Sequence, residues 1–203
     1  MEISAHEKMR AIIKADAQRH IGVENFGAGK FLRAVCSNDC LFYVVLYRMC
    51  QRIVKIKQRD LRFLLKIPTL YTTFGFATLI LGIEIDIKAE IGKGFYIGHY
   101  GGIHIGPIKM GKYCNISQGV TIGQGLGRVE SARHDIPEIG DYVYFGPNAV
   151  VFGGIKIGSH VSIGANSVVS KDIPDHSIVV GNPGRIVDQQ EVNLNIHNVF
   201  EPV

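Results

Sequence analysis

Apolar residues recur at every sixth position from residue 85 onward. The first row comprises Ile85, Ile91, Ile97, Ile103, then after a slip of one residue Met110, Ile116, Ile122, and finally Ile139, Phe145, Val151, Ile157, Ile163 and Val169. A second row lies four positions later, as Val143, Ala149, Ile155, Val161 and Ile173, and only Ser167 breaks it. A period of six fits neither an α-helix nor a simple strand and is typical of hexapeptide repeats.

The period predicts a mainly β protein built as a parallel β-helix, in which about three hexads close one coil of a triangular prism. Both apolar rows then stack inside the prism. Seventeen positions separate Ile122 from Ile139, so residues 123–138 must leave the prism as an extended loop. Polar loops on rigid scaffolds often carry function.

The N-terminal part of the chain has a helical pattern instead. The first twenty residues, "MEISAHEKMRAIIKADAQRH", predict an amphipathic helix, and "SND" at 37–39 supplies capping residues for a second helix at 40–56. The apolar stretch 67–83 contains Pro68 and several threonines and barely reaches bilayer length. We therefore interpret it as a buried helix that packs on the rest of the protein, in preference to a membrane anchor.

These patterns divide the chain into a helical region at 1–82, a β-helix at 83–187 and a C-terminal tail at 188–203. The content of 46% hydrophobic and 20% charged residues is ordinary for a globular protein. The net charge of +4 is mild, and its densest stretch, 52–62, reads as a solvated helix face, so no nucleic-acid partner is expected.

The four cysteines, at 36, 40, 50 and 114, form no CxxC pair. Packed, reduced thiols are the simplest interpretation. The charged N-terminal stretch has no uninterrupted apolar core of the kind found in a secretory signal. We therefore expect a cytoplasmic protein.

The hexads, the ending "IGANSVVSKDIPDHSIVVGNPGRIV" and the "RH" pair within the loop resemble the hexapeptide-repeat acyltransferases, specifically their serine acetyltransferase branch. The resemblance covers about residues 83–187. It implies a left-handed coil, acetyl-CoA as co-substrate, and a homotrimer with sites between prisms, and it leaves a dimer of trimers open. By the same resemblance, His99 is the general base, and Arg133 and His134 help to hold the acceptor.

One position departs from that branch. Serine acetyltransferases carry an aspartate directly before the base, where it contacts the amino group of serine, but this chain has Gly98. The acidic residue that orients the base falls on Glu84, with Asp86 as the nearby alternative. Related proteins of capsule and lipopolysaccharide pathways acetylate sugar hydroxyls on the same scaffold. Both L-serine and a saccharide therefore stay open as acceptors, with a slight preference for the saccharide.

The chemistry suits these residue types. A hydroxyl is too weakly acidic to attack a thioester unaided, whereas an imidazole, with an unperturbed pKa of about 6.5, can remove its proton at neutral pH. In many relatives the last coils and the tail bind coenzyme A. Carried over by position, the expected contacts are Gly146, Pro147, Gly164, Ala165, Ser170, Lys171 and Arg185.

Two other functions remain open. The γ-class carbonic anhydrases use His-x-x-x-x-His, the spacing of His99 and His104, together with a third histidine well upstream. Upstream of residue 85 this chain offers only His6 and His20, so a zinc site would have to recruit His134. We expect no metal, and we expect His104 to point outward beside the inward Ile103. The remaining alternative is a non-catalytic β-helix scaffold.

Overall fold

The computed structural model describes residues 5–55, 61–125 and 135–189. The chain begins with helices α1 (Ala5–Ile21), α2 (Ala28–Ser37), α3 (Asp39–Lys55) and α4 (Leu61–Leu81). Short strands follow as β1 (Ile83–Ile85), β2 (Glu90–Ile91), β3 (Tyr96–Ile97), β4 (Ile103–Ile105), β5 (Lys109–Met110), β6 (Asn115–Ile116), β7 (Thr121–Gly123), β8 (Glu138–Ile139), β9 (Tyr144–Phe145), β10 (Val150–Phe152), β11 (Lys156–Ile157), β12 (Ser162–Ile163), β13 (Val168–Val169), β14 (Ser177–Val180) and β15 (Arg185–Gln189).

The strands form the three faces of a prism. Sheet A has the order β1-β4-β7-β10-β13, sheet B β11-β8-β5-β2, and sheet C β15-β14-β12-β9-β6-β3. Neighbouring strands are parallel, except that β15 turns back antiparallel on β14. The parallel β-helix expected from the repeats, and its left hand implied by the resemblance, are confirmed.

The core lies inside the prism, and every residue of the first apolar row is buried. One assignment within the row was wrong. The register pairs Ile105, and not Ile103, with Ile85 and Ile122, whereas Ile103 pairs with Ile83. Eight positions separate Ile97 from Ile105, although six separate Ile116 from Ile122. The corner after β3 is therefore two residues longer than the matching corner of the next coil.

Ser167, which breaks the second row, is also buried. Its hydroxyl accepts a hydrogen bond of 3.1 Å from the backbone N–H of Gly181. A buried hydroxyl is tolerated when it is hydrogen-bonded, so this interruption leaves the coil intact.

The helical region caps the open first coil of the prism. From α3, Arg48 donates to the carbonyls of Ile91 and Gly92 at 2.8 and 2.7 Å, and Gln51 donates to the carbonyl of Ala89 at 2.7 Å. These bonds satisfy backbone groups that have no preceding coil to pair with, as terminal caps do in solenoid proteins.

A buried ion pair joins the two capping helices. Asp16 of α1 accepts from Nε of Arg48 at 2.9 Å, and both side chains are buried. The other Asp16 oxygen accepts from the backbone N–H of Phe95 at 2.8 Å, so both carboxylate oxygens are used. The sequence does not indicate this network, because charged residues on an amphipathic helix normally face solvent.

The predicted helix at 40–56 corresponds to α3, and Asn38 of "SND" caps it by accepting from the N–H of Leu41 at 2.8 Å. The prediction of a buried helix at 67–83 was wrong in part. Helix α4 packs on the core through Leu70, Phe74, Ala77 and Leu81, but Phe76, Leu79 and Ile80 are 65%, 78% and 75% exposed. Across the described ranges, no helix is both long and apolar enough to cross a membrane.

Candidate active site

The predicted base and four of the predicted coenzyme A contacts lie along one corner of the prism, where each coil passes from sheet C to sheet A. His99 lies in this corner of the first coil, between β3 and β4. Gly146 and Pro147 occupy it between β9 and β10, and Gly164 and Ala165 between β12 and β13. At a strand spacing of about 4.8 Å, three coil steps place Ala165 roughly 14 Å along the prism from His99.

The corner that carries His99 is the enlarged one. Gly101 and Gly102 adopt positive φ angles of 105° and 66°, which glycine accepts without strain, and this lets the two additional residues fit. His99 and Tyr100 are both exposed there. Among the described residues, no side chain is hydrogen-bonded to the His99 ring.

The two acidic candidates do not contact His99. Glu84 and His104 are register partners on sheet A, and Oε2 of Glu84 lies 3.2 Å from Nδ1 of His104. These side chains are 67% and 56% exposed, so His104 points outward as expected. Asp86 directly follows β1, at the end of the strand away from the His99 corner. There its carboxylate accepts from the N–H of Lys88 at 2.8 Å and closes a turn.

Packing between successive coils accounts for Gly146 and Gly164, the two glycines among the expected coenzyme A contacts. A Cβ atom at Gly146 would lie 2.7 Å from the backbone nitrogen of Ala165, and one at Gly164 would lie 3.0 Å from Cγ1 of Val180. The close approach of successive coils therefore requires glycine at 146, and a tight fit favours it at 164. Beside them, Ala165 is exposed and Pro147 is half-buried.

The remaining donor candidates converge at the end of the prism. Ser170, Lys171 and Arg185 line one cleft of about 250 Å³, together with Val168, Pro183 and Gly184. Lys171 follows β13 of sheet A, and Arg185 begins β15, which the turn after β14 brings back across the last coil. Two cations thus meet from positions 14 residues apart in the chain. Such a cleft suits a phosphate-bearing ligand.

Arg133 and His134, the predicted acceptor contacts, lie outside the described residues. Within the ranges that the structure describes, no group of three or more His, Cys, Asp or Glu side chains is arranged to hold a metal ion. His20 lies in α1 against β3, where it contacts Tyr96 and Ile97.

A column of stacked rings that the six-residue period did not predict lies on the corner between sheets B and C. Tyr113, Tyr142, His160 and His176 follow one another with centroid separations of 5.2, 4.7 and 5.0 Å, all at positive φ. Burial, aided by the neighbouring His176, lowers the pKa of His160. Each ring comes from a different coil and lies three positions before a buried residue on sheet C, so the sequence signal is an aromatic or histidine at the same offset in successive coils.

A family model described as bacterial transferase hexapeptide (six repeats) matches residues 137–171. A serine acetyltransferase of Staphylococcus aureus is 48% identical over 114 residues, which cover 56% of this chain and 52% of the relative. A serine acetyltransferase of Bacillus pumilus is 37% identical over 169 residues, covering 83% of this chain and 73% of the relative.

Among solved structures, soybean serine acetyltransferase complexed with serine is similar, with a TM-score of 0.70 and 26% identity, covering 89% of this chain and 70% of that one. The chain spans about half the length of the Staphylococcus aureus relative. The similarity to the Bacillus pumilus protein and to the soybean structure extends beyond the prism into the helical region, because both cover more of this chain than residues 83–187.

Proposed function

Because the chain belongs to the serine acetyltransferase family of hexapeptide-repeat transferases, we propose that it transfers an acetyl group from acetyl-CoA to a hydroxyl group of a small acceptor. The observation that carries the proposal is that one prism holds an exposed histidine on the corner between sheets C and A and, at its C-terminal end, a cleft with two cations. An extended thioester donor could reach from one to the other.

We assign the role of general base to His99. Its imidazole would take the proton of the acceptor hydroxyl as the oxygen attacks the thioester carbon, and the coenzyme A thiolate would then leave. Backbone N–H groups of the glycine-containing corners could stabilise the tetrahedral oxyanion. Direct transfer needs no serine or cysteine nucleophile on the protein.

We propose Glu84 in preference to Asp86 as the carboxylate that orients the base. Glu84 is outward-facing and exposed on sheet A, whereas the Asp86 carboxylate is used by the turn at Lys88. In this structure Glu84 contacts His104, so its role with His99 would require the carboxylate to change partner. Arg133 and His134 keep their proposed role at the acceptor.

The donor would lie along the corner past Pro147 and Ala165, with its phosphates near Lys171 and Arg185. Lys171 and Arg185 are exposed, and Ser170 beside them offers a hydroxyl. Cations far from the thioester would bind the ground state and the transition state about equally. Their contribution would therefore appear mainly in the affinity for acetyl-CoA.

L-Serine is the first acceptor to test, because the relatives are named serine acetyltransferases and the soybean structure holds serine. Gly98 favours a second candidate. The family aspartate expected at that position would contact the amino group of serine, and glycine offers no carboxylate. A hydroxyl of a saccharide, which need not carry an amino group, fits this change.

The experiment is a thiol-release assay with acetyl-CoA in which L-serine and a set of nucleotide and capsular sugars are offered separately. We expect acceptor-dependent release of coenzyme A and an O-acetylated product by mass spectrometry. Release with serine alone would identify L-serine as the acceptor, as in the relatives. Release with a sugar alone would identify a saccharide, as the change to Gly98 favours. No release with any acceptor, together with stoichiometric bound zinc and CO₂ hydration, would support the lyase instead.

A further inference from the structure

Helix α1 contacts the strand that leads into the His99 corner. In β-strands, successive N–H groups point to opposite sides. The N–H groups of Tyr96 and Gly98 point to the next coil and bond to the carbonyls of Cys114 and Ile116 at 3.1 and 2.9 Å. Those of Phe95 and Ile97 point to the open end of the prism. There, Asp16 accepts from Phe95 at 2.8 Å and His20 accepts from Ile97 at 3.4 Å.

The hydrogen bonds of His20 define its tautomer. Its Nδ1 lies 2.8 Å from the carbonyl oxygen of Asp16, which can only accept, so Nδ1 carries the proton. Its Nε2 is then the bare nitrogen that accepts from Ile97. The ring also packs on Tyr96 at a centroid distance of 4.7 Å. His20 is therefore neutral in this arrangement, and a second proton on Nε2 would oppose the N–H of Ile97.

We propose that His20 is a positioning residue for the acetyl transfer, holding strand β3 and hence the corner that carries His99 only while its ring is neutral. Ile97 is two residues from His99, and β3 is the edge strand of sheet C, with no preceding coil to fix it. The assignment rests on the proposed function, in which His99 is the base. Among the described residues, no other helical side chain is hydrogen-bonded to the Ile97 amide.

Burial, more than the neighbouring charges, opposes protonation of His20. Burial lowers the pKa of His20, the neighbouring Arg19 guanidinium lowers it further, and Asp16 raises it. The Asp16 carboxylate is already paired with Arg48 of α3, and Tyr96 is the ring that faces His20 from β3. The neutral form is thus present near pH 7, and acid should weaken the hold on β3.

Two substitutions separate the ring from its hydrogen bonds. His20→Phe keeps an aromatic ring for Tyr96 but removes both hydrogen bonds, whereas the amide oxygen of His20→Gln can accept from Ile97 at every pH. His160→Asn is the matched control. It removes another histidine of lowered pKa, in a coil far from β3, and asparagine tolerates the positive φ of 57° at that site.

We expect His20→Phe to accelerate hydrogen–deuterium exchange at the Ile97 amide and to lower kcat by about 10- to 100-fold with little change in the KM for acetyl-CoA. His20→Gln should retain most of the activity. In the unmodified protein and in His160→Asn, acid should raise the exchange rate of the Ile97 amide beyond its intrinsic pH dependence. In His20→Gln this additional increase should be absent.

Unchanged Ile97 exchange in His20→Phe would overturn the inference, and so would accelerated exchange with unchanged kcat. If His20→Phe does not fold, the pH dependence of Ile97 exchange in His20→Gln decides, and a pH response identical to that of the unmodified protein would overturn it. If no acceptor supports coenzyme A release, the proposed function fails, yet the exchange experiment still shows whether His20 holds β3.

Discussion

At the scale of single residues, the decisive feature is an exposed histidine in an enlarged, glycine-containing corner. His99 has no hydrogen-bonding partner among the described residues, whereas His104, five positions later, is held by Glu84 on a flat face of sheet A. The two histidines of one sequence pattern thus occupy different surroundings. One stands at the head of the proposed donor groove, and the other belongs to an exposed pair of a kind that usually contributes little to stability.

We predict that His99→Ala lowers kcat by roughly 10²–10⁴, the usual contribution of a general base, while acetyl-CoA still binds. His104→Ala is the matched control, and its effect on kcat should be much smaller. Steady-state kinetics with the acceptor identified by the thiol-release assay measures both, and isothermal titration calorimetry measures donor binding. If His99→Ala keeps most of its activity, the general-base mechanism is wrong even when the donor is right.

At the scale of elements, two devices complete the ends of the prism. Helices α1 and α3 supply the polar groups that the first coil lacks, and β15 folds back on β14 to close the last coil and carry Arg185 to Ser170 and Lys171. The helical region thus completes the hydrogen bonding of the first coil of the β-helix. Its buried side chains bond to the prism backbone.

The cap gives a stability prediction. Asp16→Ala leaves the buried Arg48 without its carboxylate and the Phe95 N–H without an acceptor, so the free energy of unfolding should fall by about 3–5 kcal/mol. Glu138→Ala, which breaks the exposed pair with Lys109 at 3.8 Å, should cost less than about 1 kcal/mol. Chemical denaturation at one protein concentration compares them, and equal losses would contradict the proposed importance of the cap.

The terminal cleft gives a kinetic prediction. Lys171→Ala and Arg185→Ala should each raise the KM for acetyl-CoA more than they lower kcat, because contacts to the distal phosphates bind ground and transition states alike. Lys156→Ala removes an exposed cation from the outer face of sheet B and serves as the control. An unchanged KM in both cleft variants would leave these residues as ordinary surface charges.

At the scale of the whole molecule, the single chain leaves several large apolar side chains exposed to solvent. Phe76, Leu79 and Ile80 project from α4, and His99 and Tyr100 are exposed at their corner of the prism. Exposed apolar groups of this kind often mark contacts between subunits. A neighbouring prism would supply the second wall that an acceptor site needs.

We therefore predict a homotrimer, or a dimer of such trimers. Multi-angle light scattering should give three or six times the chain mass of 22.4 kDa at micromolar concentration. Substituting Leu79 and Ile80 by serine should lower that mass if α4 lies in an interface. A single-chain mass for the unmodified protein would refute the prediction and leave the acceptor site with one wall.

The sequence by itself determined the β-helix and, apart from Ile103, its inward apolar row, whereas most of the loop expected at 123–138 lies outside the described residues. It could do so because a residue at each coil position faces the same side in every coil, and a period of six therefore records burial directly. It also singled out His99 and the cations at 171 and 185, since short motifs identify residues without requiring their contacts.

Only the tertiary structure decided which side chains meet. The register of β1 and β4 pairs Glu84 with His104 and places Ile105, in place of Ile103, in the inward row. The lengths of two corners set this register, and the six-residue repeat does not reveal those lengths. Asp16 bonds to Phe95 across 79 positions of chain. A charged residue on a helix has the same local pattern whether it faces water or an open strand edge, so the capping role of α1 emerges only when the helix is docked.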